Sequence, residues 1–216
     1  MKLKICGMKY NPVEVSELRP DYLGFIFWEP SRRFFDGCIS DSISGPKRVG
    51  VFVDAAPEDI VLKVYEHNLG AVQLHGSEKP DTCKYLRELI GAQHTRGTEI
   101  IKAFAIDEEF NFETLNEFVD SCDFFLFDTR GDLPGGTGRR FDWKLLSNYK
   151  LIKPYFLSGG IGPSDADAIK SFLSRPEAKN CHAIDLNSRF ETEPGLKDVA
   201  ALQSFIKEIG YISKKD

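Results

Sequence analysis

A chain of 216 residues with 42% hydrophobic and 12% aromatic content can bury a substantial core, and it fits one large domain, residues 1–216, better than two small ones. Its 28 basic and 33 acidic residues give a net charge of -5 with no long basic run, which excludes the usual electrostatic footprint for nucleic acid. No stretch approaches the ~18 apolar residues of a membrane helix, and "MKLKICGMKY" lacks the apolar core of a secretory signal, so a cytoplasmic protein that binds neither membrane nor nucleic acid is expected.

The elements follow one another in a regular order. Apolar runs that read as strands occur at 3–6 (LKIC), 22–27 (YLGFIF), 48–53 (RVGVFV) and 71–74 (AVQL). Four more follow at 100–106 (IIKAFAI), 123–127 (DFFLF), 153–158 (KPYFLS) and 181–186 (CHAIDL). Segments of helical period lie between them, near 12–19, 57–68, 79–90, 108–120, 142–147, 164–173 and 196–208. After the second strand, "FFDGCISDSISG" offers little more than a turn or two of helix. Strands that alternate with helices and read as unbroken apolar runs pair in parallel and are buried on both faces. Eight such units predict an α/β fold of the closed (β/α)8 barrel type, compact at about 27 residues per unit. The alternative is an open doubly wound sheet, but the GxGxxG turn expected after its first strand is missing.

Barrels of this kind place their chemistry at the carboxyl ends of the strands, so the residues just past each run are the candidates. They are Cys6, the Arg32-Arg33 pair, Asp54, Gln73 and His75, Asp128, Ser158-Gly159-Gly160, and Asp185 to Ser188. Each has a bland reading beside the chemical one. Cys6 could be a small buried hydrophobe, Asp128 a turn or cap aspartate, Arg33 a solvated charge, and His75 a hydrogen-bonded loop histidine. The glycines of "PGGTGRRFDW" at 134–143 allow close backbone approach to a ligand, and the paired glycines of "LSGGIGP" at 157–163 open a helix whose free N–H groups suit a phosphate. Side-chain parity puts Lys4 one layer below Cys6 on the same face. Barrel closure makes strands one and eight neighbours, so Asp185 is the expected partner of a buried Lys4. The five cysteines include no CxxC pair and no His/Cys cluster of zinc-ligand spacing, so reduced thiols and no metal are expected.

Taken together, KICGMK, GFIFWEPSRRF, VGVFV, VQLHGSE, KAFAI, FDT, GGTGRRFDW, LSGGIGP and AIDLNSRFETEPGLKD resemble, in order, the segments of the phosphoribosylanthranilate isomerase family of tryptophan biosynthesis. The resemblance implies an Amadori rearrangement of an aminoaldose to an aminoketose by general acid/base catalysis, with no metal or organic cofactor. It implies Cys6 as base and Asp128 as acid, and Arg33 rather than Arg32 against the anthranilate carboxylate. Substrate contacts would come from Gln73 and His75, and phosphate contacts from Gly136, Gly138, Gly159, Gly160, Asn187 and Ser188. The thiol would have to be lowered by a charge such as Lys4 or act from a minor thiolate population, and Asp128 would have to be raised by burial near Phe124, Phe125 and Phe127. The chain departs from the family at "NSRFE", where Arg189 and Phe190 stand in place of a small and an aliphatic residue. A non-catalytic barrel that binds a phosphorylated ligand or a partner protein is the reading from another class. An isomerase broadened to an imidazole-carboxamide substrate is a third. The resemblance is compatible with a monomer or a homodimer.

Overall fold

A computed structural model of the chain describes residues 1–92, 97–131 and 140–212. Eight parallel strands close on themselves in sequence order: β1 (Lys2–Ile5), β2 (Tyr22–Ile26), β3 (Lys47–Phe52), β4 (Ala71–Leu74), β5 (Glu99–Ile106), β6 (Phe124–Thr129), β7 (Tyr155–Leu157) and β8 (Cys181–Leu186). β1 completes the ring against β8, with Lys4 opposite Asp185. The expected (β/α)8 barrel is therefore the observed architecture, and each strand forms within a few residues of its apolar run.

Alternation sorts the side chains into two cores. Tyr22, Val49, Ala71, Ile101, Leu126, Phe156 and Ala183 point inward and fill the barrel, while a larger cluster that includes Leu3, Phe25, Phe125, Phe127 and Leu157 packs outward against the helices. Phe124 joins the inner set, so only one of the three phenylalanines expected around Asp128 shares its face.

Among the described residues the outer layer has five α-helices: α1 (Pro12–Ser16), α2 (Pro57–Glu66), α3 (Pro80–Ala92), α4 (Ala166–Leu173) and α5 (Val199–Glu208). Proline at the first turn of α1 and α2 fits a position that needs no N–H, and the Asp198 carboxylate caps α5 by accepting from Ala201 N at 2.9 Å. The segments expected to be helical near 108–120 and 142–147 are 3₁₀ turns instead, Phe112–Phe118 and Trp143–Asn148. Their inward residues, Phe112, Leu115 and Phe118 in one and Trp143 and Leu146 in the other, recur every third residue, which suits three residues per turn. No helix follows β2 among the described residues; Phe35, Ile39 and Ile43 instead bury themselves singly against the barrel. After β8 the chain forms a hairpin, β9 (Glu191–Glu193) with β10 (Leu196–Lys197), before α5 begins at Val199, so the helix expected from 196 starts three residues later.

Candidate active site

The carboxyl ends of the strands converge on one cavity whose lining includes Cys6, Gln73, His75, Asp128, Ser158 and Asn187, together with Trp28 and Asp185. Cys6 reaches it because β1 ends at Ile5 and the chain turns through Gly7, which has φ +77°. A side chain at Gly7 would meet Asn187 Oδ1 at 2.5 Å and Arg33 Cδ at 2.8 Å, so the glycine that follows the thiol is demanded by both conformation and space. The thiol itself sits over Gly24 of β2, where an added Cβ would lie 2.6 Å from Cys6 Sγ.

Beneath Cys6, Lys4 Nζ donates to Asp185 Oδ2 at 3.0 Å with the two side chains 0% and 4% exposed, as parity and closure predict. Ser158 Oγ donates to the same oxygen at 3.3 Å, while Asp185 Oδ1 is buried and finds no hydrogen-bond partner among the described residues. Burial pushes the Cys6 thiol above its ordinary range, against the pull of Lys4 and, more weakly, Lys197. Of the two alternatives, a thiol lowered overall by a charge such as Lys4 or a minor thiolate population, the first does not hold: Lys4 pulls the thiol down, but at this depth the loss of solvation outweighs it, which leaves the second. Burial likewise raises Asp185. It would lower Lys4 on its own, but the attraction of Asp185 and Cys6 carries the ammonium above its usual value.

On the far wall Asp128 projects from the end of β6, largely buried, and its Oδ1 accepts from Thr129 N at 2.8 Å. His75 Nε2 lies 3.3 Å from Asp128 Oδ2, and His75 Nδ1 is 2.9 Å from Gln73 Nε2. With the Gln73 amide donating to Nδ1, the remaining ring proton is assigned to Nε2 and faces the carboxyl group. Gln73 Oε1 is a buried acceptor with no partner among the described residues. Asp54, also collected from the strand ends, does not line the cavity; its Oδ1 accepts from Ser77 N and Oγ at 2.7 and 2.8 Å and fixes the loop that carries His75.

The arginine pair separates clearly. Arg32 is exposed, whereas Arg33 is half-buried, with Nε donating to both Glu191 oxygens at 2.9 and 3.0 Å and Nη2 donating to Oε2 at 2.7 Å. Among the glycines, Gly159 and Gly160 have φ of +91° and +63°, and an added Cβ on Gly159 would fall 2.2 Å from Thr129 Oγ1. Gly136 and Gly138 lie outside the described residues. Ser188 opens a short 3₁₀ turn, Ser188–Phe190, beside this loop. Arg189 is exposed, with its Nε 3.1 Å from where a Cβ on Gly162 would lie, and Phe190 is buried against Phe205 with ring centroids 5.0 Å apart. The two departures at "NSRFE" thus divide: the guanidinium lies along the loop after β7, and the phenyl ring fills the core under α5.

Four residues at or near the mouth were not singled out from the sequence: Gly24, Trp28, Glu191 and Lys197. A glycine inside an apolar strand run marks close approach by a neighbour and was a usable signal for Gly24. The charges of "FETEPGLKD" look like a solvated turn, and nothing local shows that Glu191 and Lys197 are buried.

Comparison with known proteins gives one family. A family model described as N-(5'-phosphoribosyl)anthranilate (PRA) isomerase matches residues 3–208. N-(5'-phosphoribosyl)anthranilate isomerase of Parabacteroides distasonis is 43% identical over 97% of this chain and 93% of its own, and that of Phocaeicola vulgatus is 36% identical over 97% and 98%. Among solved structures, phosphoribosyl anthranilate isomerase from Thermotoga maritima superposes with a TM-score of 0.76 at 28% identity, covering 98% of this chain and 100% of that one. Another, of phosphoribosyl anthranilate isomerase in complex with reduced 1-(o-carboxyphenylamino)-1-deoxyribulose 5-phosphate, gives 0.73 at 27% identity over 98% and 100%. With a barrel closed in the same order and a match over nearly its whole length, the chain belongs to the N-(5'-phosphoribosyl)anthranilate isomerase family.

Proposed function

We propose that this chain converts N-(5-phosphoribosyl)anthranilate to 1-(2-carboxyphenylamino)-1-deoxyribulose 5-phosphate in tryptophan biosynthesis, with Asp128 as general acid and Cys6 as general base. The observation that carries the assignment is that the thiol just past β1 and a carboxyl group from β6 line one cavity, with no second thiol among its described lining residues. Asp128 would protonate the ribose ring oxygen, so that the C1–O bond breaks and the anilino nitrogen forms an iminium with C1. Cys6, as thiolate, would then remove the C2 proton, and the resulting enolamine tautomerises to the ketone. General acid and base contributions of this kind are each worth about 10²–10⁴ in rate.

The surroundings support these roles. His75 beside Asp128 fixes the carboxyl group and is itself fixed by Gln73. Gln73 Oε1 and Asp185 Oδ1, two buried acceptors on the cavity lining, match the donors that a ribose ring would bring. Lys4 and Lys197 favour the charged form of a thiol that burial disfavours. Arg33 is the candidate for the anthranilate carboxylate, and the loops bearing Gly136, Gly138, Gly159, Gly160, Asn187 and Ser188 are the candidates for phosphate. The substrate is a small molecule, and we place the enzyme in the cytoplasm as a monomer or homodimer. The test is the fluorescence of phosphoribosylanthranilate on adding purified protein: its decay to the ketose supports the reading, and an unchanged signal with intact, folded protein overturns it.

A further inference from the structure

Arg33, Glu191 and Lys197 form a three-member charge cluster at the rim of the site, with side chains 15%, 4% and 0% exposed. Lys197 Nζ donates to Glu191 Oε1 at 2.7 Å and to Asn187 Oδ1 at 2.9 Å. The lysine is held in place by Asn11, whose Oδ1 accepts from Lys197 N and whose Nδ2 donates to Lys197 O, both at 3.0 Å. Gly195 N adds a bond to Glu191 Oε1 at 3.2 Å, so the hairpin of β9 and β10 clamps this carboxylate from two sides.

Two features of the cluster point beyond packing. The first is charge: two cations surround one anion, so the group carries a net positive charge in a poorly solvated place, where a further carboxylate would neutralise it. The second is donor geometry. Glu191 takes the Nε edge of the Arg33 guanidinium, using Nε–H and one Nη2–H. A planar fork pinned along that edge presents its opposite edge, Nη1 and the second Nη2 hydrogen, as a preformed bidentate site.

We infer that Glu191, backed by Lys197, is a positioning residue that aims the free edge of Arg33 at the substrate carboxylate and so sets the preference for a carboxylated aryl group. The inference rests on the assignment of Arg33 to that carboxylate. Glu191 repels the substrate anion at long range, yet it holds rigid an arginine that would otherwise be ordered only on binding, and that ordering would weaken affinity.

The test compares kcat/KM for N-(5-phosphoribosyl)anthranilate and for its carboxylate-free counterpart, N-(5-phosphoribosyl)aniline, in wild type, Arg33→Ala, Glu191→Gln and the double variant. Glu191→Gln is expected to lower the ratio of the two about 10-fold, through KM, and to lower it no further when Arg33 is already alanine. Removing a negative charge should by itself favour the anionic substrate, so a lowered ratio can come only from lost aim. Glu191→Asp, which keeps the charge but shortens the reach, should fall between and serves if Glu191→Gln does not fold. If Arg33→Ala lowers the ratio while both Glu191 variants leave it unchanged or raised, the inference is overturned and the Arg33 assignment stands. If Arg33→Ala leaves the ratio unchanged, both fall.

Discussion

Replacing Lys4 by methionine keeps an unbranched side chain of similar size and removes only the ammonium group. Asp185 would then retain Ser158 Oγ at 3.3 Å on one oxygen and no partner among the described residues on the other. It has two ways to respond. Remaining ionised in the barrel interior costs about 3–5 kcal/mol, the usual penalty for stripping one member from a buried pair. Taking up a proton at pH 7 costs about 1.4 kcal/mol per unit above the unfolded carboxyl value near ~3.9, or roughly 4 kcal/mol. The smaller of the two sets the loss, so Lys4→Met should be destabilised by about 3–4 kcal/mol at pH 7. The dependence on pH distinguishes this from simple packing. Burial already raises Asp185, and the variant raises it further, so between the unfolded and folded values the folded variant holds one more proton than the unfolded chain. Its stability therefore falls as pH rises through that window, and relative to wild type the deficit should shrink to roughly 1.5 kcal/mol at pH 5. Urea unfolding at the two pH values measures this. A loss below about 1 kcal/mol at pH 7, or an equal loss at both, would refute the reasoning. The same variant removes a cation that favours the Cys6 thiolate and so pushes the thiol further up, and kcat at pH 7 should fall at least about tenfold, within the range for a weakened general base.

Two other predictions follow from the packing around the strands. Gly24→Ala would place a methyl 2.6 Å from Cys6 Sγ and 3.1 Å from Cys6 Cα; it should destabilise by about 1–3 kcal/mol and, by moving the thiol, lower kcat more than stability alone accounts for, a comparison made by steady-state kinetics on folded protein. His182 on the barrel floor is pushed down to about 4 by burial first and by Lys2, with its Nε2 2.9 Å from Tyr22 Oη. It stays neutral where the unfolded chain binds a proton, so wild-type stability should fall as pH drops from about 6.5 toward 4. His182→Gln should flatten that slope in urea midpoints measured at pH 5 and pH 7.

What could be read in advance was whatever a short-range pattern encodes. The Lys4–Asp185 pair followed from parity on β1 and from the closure that sets β1 beside β8, since both are consequences of strand geometry. Cys6 and Asp128 were legible because strand ends in such barrels collect chemistry. The 3₁₀ turns were harder, because a helix of two turns and a 3₁₀ segment share the spacing of apolar residues at i and i+3, as at Phe112, Leu115 and Phe118. The direction of the Cys6 shift could not be read at all. It depends on the balance between depth and charge at one atom, and the sequence shows the cation but not the depth. Glu191 and Lys197 escaped for a related reason: a hairpin folded back over the β1 and β2 loops buries charges that look solvated along the chain.

The central claim, that Asp128 supplies the proton that opens the ribose ring, is tested most directly by Asp128→Asn, which nearly preserves shape while removing the acid. Two quantities should be measured on the same folded protein: kcat with phosphoribosylanthranilate, and the dissociation constant of the reduced product analogue, which cannot react. The account predicts a fall in kcat of about 10²-fold or more with binding of the analogue changed by no more than a few-fold. Near-normal turnover, or a loss of binding equal to the loss of rate, would contradict it, and in the second case Asp128 would be holding the loops of the mouth rather than delivering a proton.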